Sequence, residues 1–251
     1  MKIALLIEYD GTDFSGWQVQ PGVRTVQGEL EAAFAKLNAE PVGLFGCGRT
    51  DAGVHAKGLV AHADIIPSQS LPIWKLTDAL NALTGEDIVV REIREVPDDF
   101  HARFSALERG YRYRISRKKI ALERNYCWQL THAFDEQLLQ EAAALLPGEH
   151  DFTSFSKQTE DVTHFRCTIT RSEFLWAGDE IHFWISANRF VRGMVRALTG
   201  AIIETAKGKI TVDEFTRLLN EPLEHDRAKY IAPAQGLTFW NASYPKEYGL
   251  W

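Results

Sequence analysis

The residues best suited to chemistry sit in one glycine-rich run, Gly46-Cys47-Gly48-Arg49-Thr50-Asp51-Ala52-Gly53-Val54-His55-Ala56. Glycine tolerates positive φ and close backbone approach, so such a loop can hold a carboxylate at the lip of a sheet while a bulky ligand comes near. Asp51 is therefore the candidate nucleophile or acid–base group. Arg49, two residues earlier, could favour the ionised carboxylate or grip a phosphate bidentately. The same spacing also suits a plain turn in which Asp51 accepts from backbone N–H groups. His55 reads as a structural hydrogen-bonder, because nothing at metal-ligand spacing accompanies it and no metal site is expected.

A second group of residues is suited to binding. Between Arg103 and Arg124 lie eight basic residues against two acidic ones. Tyr111 and Tyr113 alternate there with Arg112 and Arg114, and Arg109 precedes them. On a strand, the tyrosines face one side and those two arginines the other. Cations for phosphates and aromatic rings for bases form the usual pairing of RNA recognition. A solvated edge strand would explain Arg117 to Lys119 equally well. Further on, Arg189, Arg192 and Arg196 stand at i, i+3 and i+7, which predicts a basic stripe on one helical face, with Phe190, Met194 and Leu198 on another. A stripe of one sign in an acidic chain favours a polyanion. The turn Tyr9-Asp10-Gly11-Thr12-Asp13-Phe14-Ser15-Gly16-Trp17-Gln18 gives a weaker signal. Its Asp10 and Asp13, taken with Asp51, leave a two-carboxylate glycosidase open as a reading.

Something must position these groups, and the hydrophobic periodicity says what. Ile3, Leu5, Ile7 and Tyr9 alternate as a strand over 2–9; Val26, Leu30, Phe34 and Leu37 recur at helical spacing after Thr25 as N-cap, until Asn38 and Pro41 end the pattern. Apolar runs at 42–47 and 58–64 flank the glycine loop, Pro72 opens a helix with Leu76, Leu80 and Leu83, and 87–96 alternate as a strand. The order β-α-β-β-α-β is the split βαβ arrangement of ferredoxin-like folds. The second half reads similarly: a strand at 106–116, a helix at 135–146, strands 166–176 and 180–187 joined at Ala177-Gly178-Asp179, and a long helix over roughly 190–206. Thr211 and Glu214 have capping-box spacing before Phe215, Leu218 and Leu219, and Leu237 and Phe239 close with a strand. The expectation is an α/β (α+β) chain of two such halves, 1–103 and 104–251, with a mainly antiparallel sheet flanked by helices.

Composition narrows the class. The 251 residues are 45% hydrophobic and 25% charged, which excludes disordered, collagenous and coiled-coil chains. The net charge of −6 requires any nucleic-acid surface to be local. Cys47, Cys127 and Cys167 are far apart and odd in number, so neither a disulfide framework nor a zinc ribbon is expected and a reducing cytoplasm fits. The short apolar start reaches Glu8 and Asp10 too early for a signal peptide, and no run approaches bilayer length, so no membrane role is expected.

Taken together, YDGTDFSGWQ, GRTDAGVHA, FHARFSALERGYRY, DFTSF and RFVRGMVR resemble the tRNA pseudouridine synthase A family, in the family's order from about Ile3 to Pro245. The resemblance implies the pseudouridine synthase fold and isomerisation of uridine to pseudouridine at nucleotides 38 to 40 of the tRNA anticodon stem-loop, by a homodimer without a cofactor. It makes Asp51 the essential aspartate, Arg49 the arginine of the same loop, Tyr111 the active-site tyrosine and Arg196 the basic residue of the late helix. Arg109, Arg112, Arg189 and Arg192 join Tyr111 and Arg196 as expected substrate contacts. The chain departs from the family pattern at Thr163-His164-Phe165-Arg166-Cys167-Thr168, where members often have an Arg-Thr pair, and at Gly110. A non-catalytic RNA-binding relative is the alternative.

Overall fold

The computed structural model describes residues 1–37, 40–66, 71–157, 164–221 and 230–251; the readings placed on Asn38 and Thr163 lie outside them. The chain forms two compact units, Met1–Glu108 with Thr238–Trp251, and Arg109–Leu237. Both are mixed α/β, with mainly antiparallel strands accompanied by helices.

The first unit contains β1 (Lys2–Tyr9), α1 (Val26–Leu37), β2 (Phe45–Gly46), β3 (His55–Asp64), α2 (Ile73–Leu83) and β4 (Ile88–Val96). Strand β1 lies between β4 and β3 and is antiparallel to both, while β2 pairs antiparallel with β3. That is the split βαβ arrangement read from the element order. Its core is the alternation seen in sequence: Ile3, Leu5 and Ile7 from β1, Val26, Leu30 and Phe34 from α1, and Leu76 and Leu80 from α2 are fully buried. The Thr25 hydroxyl accepts from Gly28 N–H (3.3 Å), so the expected N-cap starts α1.

The second unit holds β5 (Glu108–Ser116), β6 (Trp128–Gln129), α3 (Glu136–Ala144), β7 (Gly148–Asp151), β8 (Arg166–Ala177), β9 (Glu180–Ala187), α4 (Met194–Ala206) and α5 (Val212–Asn220). Antiparallel pairs run β5–β9–β8–β7, with β8–β9 the hairpin turned at Gly178, whose φ is 65°. Asp135 caps α3, and Thr211 with Glu214 forms the capping box of α5.

Three expectations are corrected. The division into 1–103 and 104–251 gives way to a discontinuous first unit. The final strand β10 (Leu237–Ser243) returns to pair parallel with β3, Thr238 opposite His55 and Phe239 opposite Ala56, and a parallel partner so distant in sequence leaves no local signal. The long helix begins at Met194 rather than near 190, because Gly193 sits at φ 75° and left-handed backbone interrupts the helix there. Arg189 and Arg192 therefore lie in the approach to α4 and share no helical face with Arg196. Helix α4 also buries twelve of its thirteen residues, Arg196 being the exception, so it is a core helix rather than a surface helix docked on one side.

Candidate active site

In the first unit the Asp51 loop leads into β3 and is held from below by the turn that follows β1. Trp17 N–H donates to the Thr50 carbonyl (3.2 Å), Gly53 N–H to the Phe14 carbonyl (3.3 Å), and Cys47 N–H to the Val60 carbonyl (2.7 Å). Val54 N–H closes a turn onto the Asp51 carbonyl (3.2 Å), with Gly53 at φ 76°. Two glycines of the underlying turn allow this contact: a Cβ on Gly11 would stand 2.1 Å from the Val54 carbonyl oxygen, and one on Gly16 2.5 Å from that of Thr50. The segment Tyr9 to Gln18, a weak signal by itself, is thus the cradle of the catalytic candidate. Asp51 itself is partly exposed at the end of this rigid backbone.

Neighbouring groups divide into structural and available ones. Asp10 accepts from Thr12 N–H (3.0 Å) and the Thr12 hydroxyl (2.6 Å), an Asx-type turn that employs its carboxylate locally and weakens the two-carboxylate reading. His55 is buried, and its Nδ1 stands 3.0 Å from Gly11 N, from which it accepts, and 3.1 Å from Asp10 Oδ1, so it braces the turn after β1. Arg49 is exposed, and its guanidinium forms no ion pair found among the described residues. Among the described residues no group of three or more His, Cys, Asp or Glu side chains is placed to hold a metal ion.

In the second unit, Tyr111 is 8% exposed and meets Phe190 edge to face, ring centres 5.1 Å apart. Tyr113 points the same way along β5 but is fully buried, its hydroxyl donating to the Pro233 carbonyl (2.7 Å); burial pushes that hydroxyl's pKa well above the usual tyrosine value. Arg112 lies over the Trp184 ring at 5.9 Å, and burial, then Arg114, lowers its basicity. Arg109 is buried and donates to the Asn188 carbonyl (2.7 Å), where it braces the approach to α4. Part of the basic run is neutralised: Arg114 by Glu123 within the run and by the distant Glu180, Arg117 by Glu136, and Lys118 by Asp179. Arg189 contacts His164 (3.2 Å), Arg192 is exposed, and Arg196 donates Nε–H to the Ala232 carbonyl (2.8 Å). Sequence reasoning missed the buried hydroxyl pair Tyr9–Thr50 (2.7 Å); the glycine spacing at 11 and 16 was the one available hint that this turn packs under the loop.

A family model described as tRNA pseudouridine synthase matches residues 5–105 and 142–245, most of the chain. The chain belongs to the tRNA pseudouridine synthase family. It is 40% identical over 254 residues to the tRNA pseudouridine synthase A of Akkermansia muciniphila, covering 98% of this chain and 96% of that one. To the protein of the same description from Brachyspira hyodysenteriae it is 41% identical over 252 residues, covering 98% and 99%. A solved Cbf5-Nop10-Gar1 complex aligns with 80% of this chain and 53% of the matched chain at 10% identity and a TM-score of 0.30, too low to support an inference. Asp51, Arg49, Arg189, Arg192 and Arg196 of this family member fall inside the matched segments, while Arg109, Tyr111 and Arg112 fall between them.

Proposed function

We propose that this family member isomerises uridine to pseudouridine in tRNA, with Asp51 as the catalytic carboxylate. The observation that supports it is the loop itself: a partly exposed aspartate on a backbone pinned by the Tyr9 to Gln18 turn, within the family's matched segment. The reaction breaks the C1′–N1 bond, turns the uracil while it is held, joins C5 to C1′ and removes the C5 proton. No electron is gained or lost, so the reaction calls for no redox cofactor. A carboxylate serves this chemistry as nucleophile, as counter-charge to positive character developing on the ribose, or as base toward C1′. The target base must leave its stack, and Tyr111 is assigned the ring that receives it. Arg49 and Arg192, both exposed, are assigned to phosphates, and Arg189, Arg196, Arg109 and Arg112 to supporting the RNA surface. Nucleotides 38 to 40 of the anticodon stem-loop, a homodimeric assembly and a cytoplasmic setting complete the reading.

The test is tritium release from tRNA labelled at uridine C5. Isomerisation frees the label; binding alone or simple glycosidic hydrolysis does not. Asp51→Asn is nearly isosteric and uncharged, so it is expected to abolish release while tRNA affinity, which comes mainly from phosphate contacts, is retained. Substantial residual release by this variant removes Asp51 from the chemistry. No release by the parent protein leaves the non-catalytic RNA-binding reading.

A further inference from the structure

Thr50, the residue before Asp51, is held at both of its polar groups. Its carbonyl accepts from Trp17 N–H, and its Oγ1 lies 2.7 Å from the Tyr9 hydroxyl in a fully buried contact. Tyr9 reaches this point because β1 and β3 slip register between Ile7 and Tyr9: Ile7 stands opposite Leu59, but Tyr9 stands opposite Ala56. Such a bulge leaves an extra residue on one strand and re-aims the side chains beside it. The Tyr9 ring, 3% exposed, then rests 6.3 Å from the Trp17 ring, the same residue whose N–H holds Thr50. Gly16 closes the remaining side, since its missing Cβ is what lets the Thr50 carbonyl and the Asp51 backbone approach.

We propose that Tyr9 and Thr50 are positioning residues for the isomerisation: their buried hydroxyl pair sets the backbone from which the Asp51 carboxylate projects. The inference rests on Asp51 being the catalytic carboxylate. A carboxylate acting at C1′ must stand within a few tenths of an ångström of its productive place, and a misplacement of about 1 Å is enough to lower turnover by about 100-fold. One peptide link separates Thr50 from Asp51, so motion of Thr50 is passed on directly. Of the groups assigned to phosphates, Arg192 is remote from Thr50 in the chain, and Arg49, one residue before it, keeps its exposed and flexible charged side chain in every variant.

The experiment compares Tyr9→Phe, Thr50→Val, Thr50→Ser and the double variant Tyr9→Phe/Thr50→Val, each checked by thermal melting and assayed for kcat and KM with tRNA. The first two remove one hydroxyl each at nearly constant volume. They are expected to lower kcat by about 10- to 100-fold with KM within about twofold of the parent. The double variant should be no worse than either single one, because both remove the same bond. Thr50→Ser, which keeps the hydroxyl, should recover most of the loss seen in Thr50→Val. Parental kcat in Tyr9→Phe and Thr50→Val with a lowered melting temperature makes the pair purely structural and overturns the proposal, as do losses that multiply in the double variant. Asp51→Asn run in parallel separates the two failures. If it is dead while Tyr9→Phe is fully active, only the positioning role falls. If it is active, the catalytic reading beneath the proposal falls.

Discussion

Gly16→Ala tests how tightly the Asp51 loop is seated. Gly16 has φ 93°, and the added Cβ would stand 2.5 Å from the Thr50 carbonyl oxygen, 3.2 Å from the Asp51 carbonyl carbon and 3.3 Å from the Ala52 nitrogen. Ordinary van der Waals contact begins near 3.4 Å, so the shortfall at Thr50 is about 0.9 Å, and every neighbour is backbone that cannot swing aside like a side chain. Left-handed backbone costs a residue with a Cβ about 1–2 kcal/mol, and relieving the clash adds about 1–3 kcal/mol. Gly22→Ala separates the two costs. Gly22 also has positive φ, 75°, but a Cβ there meets nothing within 4 Å, so that variant bears the backbone penalty alone. We expect Gly16→Ala to be the less stable of the two in urea titration by roughly the clash energy, and to lose about 100-fold in kcat per folded molecule, because the relieving shift runs through Thr50 into Asp51. Gly22→Ala should keep parental turnover. Equal stabilities and equal turnover for the two variants refute the argument, for the close approach would then not constrain the loop.

Tyr113→Phe removes the hydroxyl that donates to the Pro233 carbonyl from a fully buried ring; a loss of about 1–3 kcal/mol in urea titration with little change in turnover per folded molecule is expected, and unchanged stability would show the bond to be worthless. His62 is 3% exposed, its Nδ1 accepting from Ala102 N–H (3.2 Å), and burial, then His101, lowers its pKa from 6.5 to about 4. Between those values the unfolded chain takes up the proton that the folded protein refuses, so stability is full above about pH 6.5 and falls, by up to about 3 kcal/mol, as the pH drops toward 4. His62→Asn, which keeps an acceptor and cannot titrate, should flatten that part of the stability profile measured by chemical denaturation; an unaltered slope assigns the acid sensitivity elsewhere. Arg192→Ala should weaken tRNA binding and lower the slope of log K against log salt by roughly one counterion, and an unchanged slope makes Arg192 an ordinary solvated side chain.

The candidate site was legible because it depends on a contiguous run: GRTDAGVHA places an arginine, an aspartate and two glycines within a few residues. Elements with a strong local period were equally plain. The alternation of β1, the Thr25 and Thr211 caps and the Gly178 hairpin are decided by neighbours a few residues away, and local backbone physics decides them the same way in the fold. What depended on distant partners was not legible. The charge of the 103–124 run looked available for RNA until Glu180, Glu136 and Asp179, brought up by the fold, neutralised part of it. Arg189, Arg192 and Arg196 kept helical spacing in sequence, but one left-handed glycine at 193 took the first two off the helix, and packing buried the rest of α4 around Arg196. The final strand pairs with β3 at His55 and Ala56, residues from the first quarter of the chain, and no local pattern announces that partner. Tyr9 and Thr50 meet for the same kind of reason: each side chain is unremarkable where it stands in the sequence, and only the bulge between β1 and β3 brings one hydroxyl beneath the other.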